Sequence, residues 1–383
     1  MRVLLVSPLS GLDPPSGDIS YTEALLESPP PDVQYVTYRD AIADGSLVVR
    51  GRRPSHGRMT VLDCLILLVR IVEVGLRKVG LMFREPYWFI SIAEGKYDLV
   101  HSHLFSVRQV GRKVPVVTSA GYPLSVLYRD RDGWGRWRIR LALSLESLFS
   151  YVLRVDVPWL RTNSRSVMTV WSEHYLRWLI QRKIDVSRVV VARTALPDLR
   201  IPGKSSDGRT VGYIGRDFNR KGGLVACQVL SQLRAVDPSW HMILVTSANA
   251  TCPRDQEGIE YYFDVPRSEI LKELLPRIDI LLLITNSDCG APFGVLEALQ
   301  AATLVMISDY PWLDEHLIEP AVARVTTDIA AATERILSLD AESLLKSQHA
   351  AFRLWQSEFS MSVLGRSLSR AYGLAHEMSE ECL

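Results

Sequence analysis

Short apolar runs recur along the chain at Arg2–Ser7, Val33–Tyr38, Leu99–His103, Val114–Thr118, Val167–Trp171 and Val189–Ala192, several of them separated by helix-length segments. Strand alternating with helix is the pattern of a parallel, doubly wound sheet with helices on both faces. The pattern is interrupted at Leu196–Arg209, where prolines, glycines and serines read as a linker. It then restarts with Thr210–Ile214, His241–Thr246, Ile259–Phe263, Ile278–Ile284 and Leu304–Ile307. The expected architecture is α/β: two Rossmann-like domains, residues 1–200 and 201–365, facing across a cleft. The tail Ala341–Met378 is helical by periodicity, and residues 366–383 are expected to pack back on the first domain.

Composition narrows the class. Of 383 residues, 47% are apolar and 23% charged, which sets aside disordered and fibrous chains. A formal charge of +1 leaves no whole-protein field that would favour nucleic acid, so any anion site is local. Five cysteines without a CxxC spacing suggest neither a disulfide framework nor a zinc site, and fit a reducing cytoplasm. The first residues read as a buried strand rather than a signal peptide. Charged residues break every run that approaches membrane-spanning length.

Two stretches carry chemistry. In Gly212–Gly223 a strand ends at Gly215 and a basic loop leads into a helix near Gly223, so Arg216 and Lys221 are expected to face a phosphate beyond the strand's C-terminal end. In Asp288–Leu299, Pro292 suits a first helical turn, and the amides of Phe293, Gly294 and Val295 would donate to phosphate. Glu297, one turn on, is placed to accept two ribose hydroxyls, as acidic residues do in dinucleotide folds. A solvated basic turn and an early-helix carboxylate favoured by the dipole are the plainer readings of each stretch alone.

Together the two stretches resemble the donor half of retaining glycosyltransferases with the type B fold, the family 4 group. The resemblance implies a nucleotide-diphosphate-sugar donor in the second domain, an acceptor in the first, and no other cofactor. It maps the diphosphate-binding Gly-Arg and Lys-Gly onto Gly215, Arg216 and Lys221, and the ribose glutamate of Glu-x7-Glu onto Glu297, followed by an apolar strand and Ser308-Asp309. The family's first glutamate falls on Cys289, with Asp288 one position earlier; its histidine before glycine falls on Ala120, before Gly121; its Gly-Gly loop is Gly17-Asp18. His101 and His103, which share one face of their strand, are the acceptor-side candidates. Asp130-Arg-Asp132 imitates a metal-binding DxD in the wrong context, so no metal is expected. Other readings of the same fold are an inactive nucleotide-binding relative that scaffolds a partner, and a nucleotide-sugar epimerase.

The acceptor is expected to be a glycan or a lipid-linked molecule. Basic and apolar residues mix over Arg50–Arg84 and Tyr128–Arg140, including Arg52, Arg53, Arg58, Arg131, Trp134 and Trp137. Such a surface suits anionic lipid headgroups at the cytosolic membrane face. The alternative is an outer helical layer whose arginines snorkel over apolar neighbours.

Overall fold

The computed structural model describes the chain apart from residues 10–16, 51–60, 84–86, 112, 122, 131, 154, 156–165, 206, 286–288 and 381–383. It forms two compact units, Met1–Ala192 with Leu364–Leu383, and Arg193–Val363.

The first unit contains the strands β1 (Arg2–Val6), β2 (Gln34–Thr37), β3 (Leu47–Val49), β4 (Tyr87–Ile92), β5 (Leu99–His103), β6 (Ser106–Gln109), β7 (Val116–Ala120), β8 (Val167–Val170) and β9 (Val189–Val191). Its helices are α1 (Gly17–Glu27), α2 (Tyr38–Ala43), α3 (Val61–Lys78), α4 (Leu124–Asp130), α5 (Arg136–Leu153) and α6 (Glu173–Gln181). A parallel sheet runs in the order β2-β1-β5-β7-β8-β9, and a small second sheet in the order β3-β4-β6. Side chains of β4 alternate, Trp88 and Ile90 joining the cluster around Leu4 and Val100, Tyr87 and Phe89 the one around Tyr128 and Ile139.

The second unit contains β10 (Thr210–Ile214), β11 (His241–Thr246), β12 (Ile259–Phe263), β13 (Ile280–Leu283), β14 (Leu304–Ser308) and β15 (Val322–Val325), all parallel, in the order β12-β11-β10-β13-β14-β15. Numbered within the unit this is 3-2-1-4-5-6, the Rossmann order. Its helices are α7 (Gly223–Val236), the short α8 (Arg267–Glu269), α9 (Phe293–Gln300), α10 (Ile329–Leu337) and α11 (Ala341–Glu358). The last helix of the chain, α12 (Met361–Glu380), starts in this unit and continues in the first. Both sheet faces are apolar: Met242, Leu244 and Met306 pack with α7 and α10, Ile243, Val245 and Ile307 with α9 and α11. Burial on both sides explains why these strands are unbroken apolar runs.

Three expectations change. Leu196–Arg209 is not a free linker: Leu196 N donates to Phe359 O (3.1 Å), Leu199 N to Gln300 Oε1 (2.9 Å), and half-buried Lys204 to Ile278 O and Thr303 Oγ1. The boundary therefore falls after Ala192 rather than at residue 200. The helical tail is two helices, broken at Phe359–Ser360. Neither the small sheet nor β15 is among the strands expected from the sequence; β3, β6 and β15 have three or four residues each, and β4 has six.

Candidate active site

In open α/β sheets ligands bind beyond the strand C-termini where the strand order reverses. In the second unit that point lies between β10 and β13. Both stretches singled out in the sequence start there, one after each strand.

The loop after β10 is pinned to its neighbours. Gly215 N donates to Val245 O (3.0 Å), and Thr246 Oγ1 donates to Gly215 O (2.8 Å). Thr285 Oγ1, just past β13, donates to Arg220 O (3.1 Å). Gly222 has φ +79°, and a Cβ there would stand 1.9 Å from Ile284 O, so glycine alone lets this loop close onto the end of β13. Phe218, buried beneath the loop, and Lys221 N, which donates to Asp217 O (2.9 Å), complete the turn. Lys221 is half-buried and Arg216 exposed; Arg216 has no ion-pair or hydrogen-bond partner among the described residues.

The stretch after β13 reaches α9 through a fixed bend. Gly290 N donates to Trp312 O (2.9 Å), Asp314 N donates to Gly290 O (2.8 Å), and Ala291 O accepts from Thr194 Oγ1 (2.9 Å). Pro292 is the N-cap. The amides of Val295 and Leu296 turn back to Pro292 O, which leaves Phe293 and Gly294 as the leading donors of the helix. Among the described residues, a Cβ built on Gly294 meets nothing within 4 Å, so no side chain or backbone of theirs crowds this turn. Cys289 is half-buried ahead of the bend; Asp288 lies outside the described residues.

Glu297 is buried, and its Oε1 accepts from Arg267 Nε at 2.7 Å. Burial pushes its carboxyl above the usual range, against the pull of Arg267. Arg267 sits just past the end of β12, thirty residues away in sequence, and nothing local in the chain announces the pairing. An open pocket of about 330 Å³ lies between Arg216–Asn219 and the loop after β11; neither Lys221 nor Glu297 lines it. Asp314, Glu315 and His316 bring metal-ligand atoms within 4.8 Å of one another, but Arg193 Nε already stands 3.2 Å from Asp314 Oδ2 and supplies the positive charge.

In the first unit the corresponding reversal lies between β1 and β5. Both histidines do share a face. His101 Nε2 and His103 Nδ1 meet Ser119 Oγ at 3.2 and 2.8 Å, His101 Nδ1 meets Tyr372 Oη at 2.7 Å, and His103 Nε2 meets Asp18 Oδ1 at 3.1 Å. Asp18, an acceptor when ionised, sets every donor by accounting: His103 Nε2–H to Asp18, Ser119 O–H to His103, His101 Nε2–H to Ser119, and Tyr372 O–H to His101. Burial, with the neighbouring His103, pushes His101 down to about 3, so its ring stays neutral. Gly17 opens α1 beside Asp18; Gly121 is buried directly after β7. Ala120, the position of the absent histidine, is buried against Met168, Val170, Tyr175 and Leu179, an apolar pocket with no use for an imidazole.

No family model matches the chain, and no curated protein does. Solved structures do. A glycosyltransferase from Rickettsia africae ESF-5 aligns over 98% of this chain and 98% of its own, with TM-score 0.58 and 14% identity. Sucrose-phosphate synthase from Thermosynechococcus elongatus aligns over 97% and 98%, with TM-score 0.59 and 13% identity. Anabaena HepE, in complex with UDP and glucose, aligns over 97% and 99%, with TM-score 0.59 and 12% identity. At such identity the likeness is one of fold, and over almost its whole length this chain has the two-domain fold of the type B glycosyltransferases.

Proposed function

We propose that the chain is a glycosyltransferase that takes a sugar from a nucleoside-diphosphate donor held by the second unit and passes it, with retained configuration, to a glycan or lipid-linked acceptor bound by the first. The observation that carries this reading is the pair of loops at the reversal of the second sheet. There a glycine-pinned basic turn and the start of α9 occupy adjacent strand ends.

In this reading Arg216, Lys221 and the amides of Phe293 and Gly294 meet the diphosphate, while the Val295 amide, expected from the sequence to join them, is taken by Pro292 O. Their stabilisation grows as charge develops on the leaving group, which is how they favour the transition state. Each charge-assisted hydrogen bond contributes about 1.5–3 kcal/mol. Glu297 takes the two ribose hydroxyls, exchanging part of its contact with Arg267 for them. Gly215 and Pro292 shape the two turns, and Cys289 and Asp288 lie on the sugar side. No protein nucleophile is assigned; a donor phosphate oxygen receives the acceptor's proton in a same-face substitution. The positive charge needed comes from the side chains, so the reaction proceeds without a metal ion. On the acceptor side His103 and Asp18 offer the polar groups, with His101 behind them.

Two of the solved neighbours are described with UDP and with UDP-glucose, which makes UDP-sugars the first donors to test. Thermal-shift screening against UDP-, GDP- and ADP-sugars, followed by transfer assays, is the direct experiment, because a ligand raises stability with the logarithm of its concentration over its Kd. Stabilisation by one nucleotide class with transfer to an added acceptor supports the proposal. Cys289 and Ala120, where the resemblance implies glutamate and histidine, favour the scaffold reading if nucleotide binds without turnover. Donor conversion without an acceptor would favour the epimerase.

A further inference from the structure

Helix α3 carries apolar side chains outward as well as inward, where Ile66 and Leu76 join the core. Its charged Glu73 and Arg77 face inward, Arg77 bonding Glu73 at 2.9 Å and Glu146 of α5 at 2.8 Å, while Leu68, Ile71 and Val72 stand 60%, 60% and 54% exposed. Helix α5 does the same, with Ile139 and Ala142 in the core. Glu146 and Ser150 are buried, whereas Trp137, Leu141, Leu148 and Tyr151 follow one another along a single outward stripe. The helices abut, since Arg138 Nε donates to Gly80 O (2.8 Å) just beyond α3. Among the described side chains the exposed charges on both helices are all basic: Lys78, Arg136 and Arg140. Of the basic stretches seen in the sequence, Trp134 and Arg138 turn inward on each other, and Arg52, Arg53, Arg58, Arg84 and Arg131 lie outside the described residues.

We propose that this α3–α5 face lies on an anionic lipid bilayer, its apolar stripe entering the headgroup boundary and Trp137 and Tyr151 anchoring the two ends of α5. An apolar patch rimmed by one sign of charge marks an interaction surface, and amphipathic aromatic rings settle at the headgroup level. Among the described residues no helix is long and apolar enough to cross a membrane, so the contact is peripheral. A second copy docked through the same patch would bring the basic rim of Arg136, Arg140 and Lys78 against another basic rim, with no exposed acid among the described side chains of either helix to meet it. The inference stands on exposed side chains alone and does not depend on the donor reading.

The test is co-sedimentation of the full chain with phosphatidylcholine vesicles, with and without phosphatidylglycerol. Binding is expected to be stronger on the anionic vesicles and to weaken with salt. Arg136→Ala and Arg140→Ala should each weaken it about fivefold. Leu148→Glu with Tyr151→Glu should abolish it on both vesicle types. Unchanged thermal midpoints and nucleotide affinity identify these as folded variants, and the alanine pair keeps the test open should the glutamate pair misfold. Partitioning that ignores lipid charge, no partitioning at all, or a dimer in light scattering that Leu148→Glu dissolves would overturn the proposal.

Discussion

Each of the two parallel sheets reverses its strand order once, between β1 and β5 in the first unit and between β10 and β13 in the second, and the residues at the two reversals differ in kind. At the first, polar groups are bonded to one another in a buried chain from Tyr372 through His101, Ser119 and His103 to Asp18. At the second, the backbone is pinned and Arg216 stands exposed at the mouth of the loop. A preorganised backbone beside one exposed cation, Arg216, suits a ligand that brings its own negative charge. A self-satisfied hydrogen-bonded chain suits selection by hydrogen bonding at its outer end, where Asp18 is reached.

The sharpest way to break this contrast is to unpin the second reversal. Gly222→Val would press a β-branched side chain onto Ile284 O at a φ it does not adopt; backbone strain alone costs about 1–3 kcal/mol. Nucleotide binding should be lost in calorimetry, and wild-type affinity would show that the loop need not touch β13. Next in size, Glu297→Ala should weaken nucleotide binding about tenfold or more with turnover of bound donor largely kept, since two hydrogen bonds to a charged group are removed. Loss of turnover at unchanged affinity would move Glu297 out of the ribose role.

These predictions rest on parts of the site that are written locally. The loop Gly215–Gly223 and the start of α9 are each one continuous stretch, so glycine, cation and proline spacing exposed them in the sequence. Arg267 was not legible, because it meets Glu297 from a turn thirty residues earlier. Strand alternation placed His101 and His103 on one face, yet their partners come from β7 and from α12, as far as 271 residues away. The inward charges of α3 were hidden for the same reason: Glu73 and Arg77 read as breaks in an apolar run, because Glu146, which accepts from Arg77, lies 69 residues further on.

Smaller effects sharpen the first reversal. Ala120→His should destabilise the chain by roughly 1–3 kcal/mol in denaturant titration, by overpacking the cluster around Met168 and Tyr175; a neutral outcome would mean that the pocket can admit the ring. His101 has its proton affinity lowered from 6.5 to about 3, so the unfolded chain binds a proton that the native state refuses. Its contribution is then constant above pH 6.5 and is lost as pH falls towards 3, by at most about 1.4 kcal/mol per pH unit. Urea titrations across that window should lose this part of the slope in His101→Gln.

The central claim is that Arg216 and Lys221 grip a nucleoside diphosphate at the second reversal. Titration calorimetry of UDP, GDP and ADP into the wild type, Arg216→Ala and Lys221→Ala tests it most directly, with donor turnover measured on the same preparations. The account predicts that one nucleotide binds the wild type, and that each substitution weakens binding and lowers turnover about tenfold or more while the fold is unchanged. Wild-type affinity and turnover in both variants would contradict it.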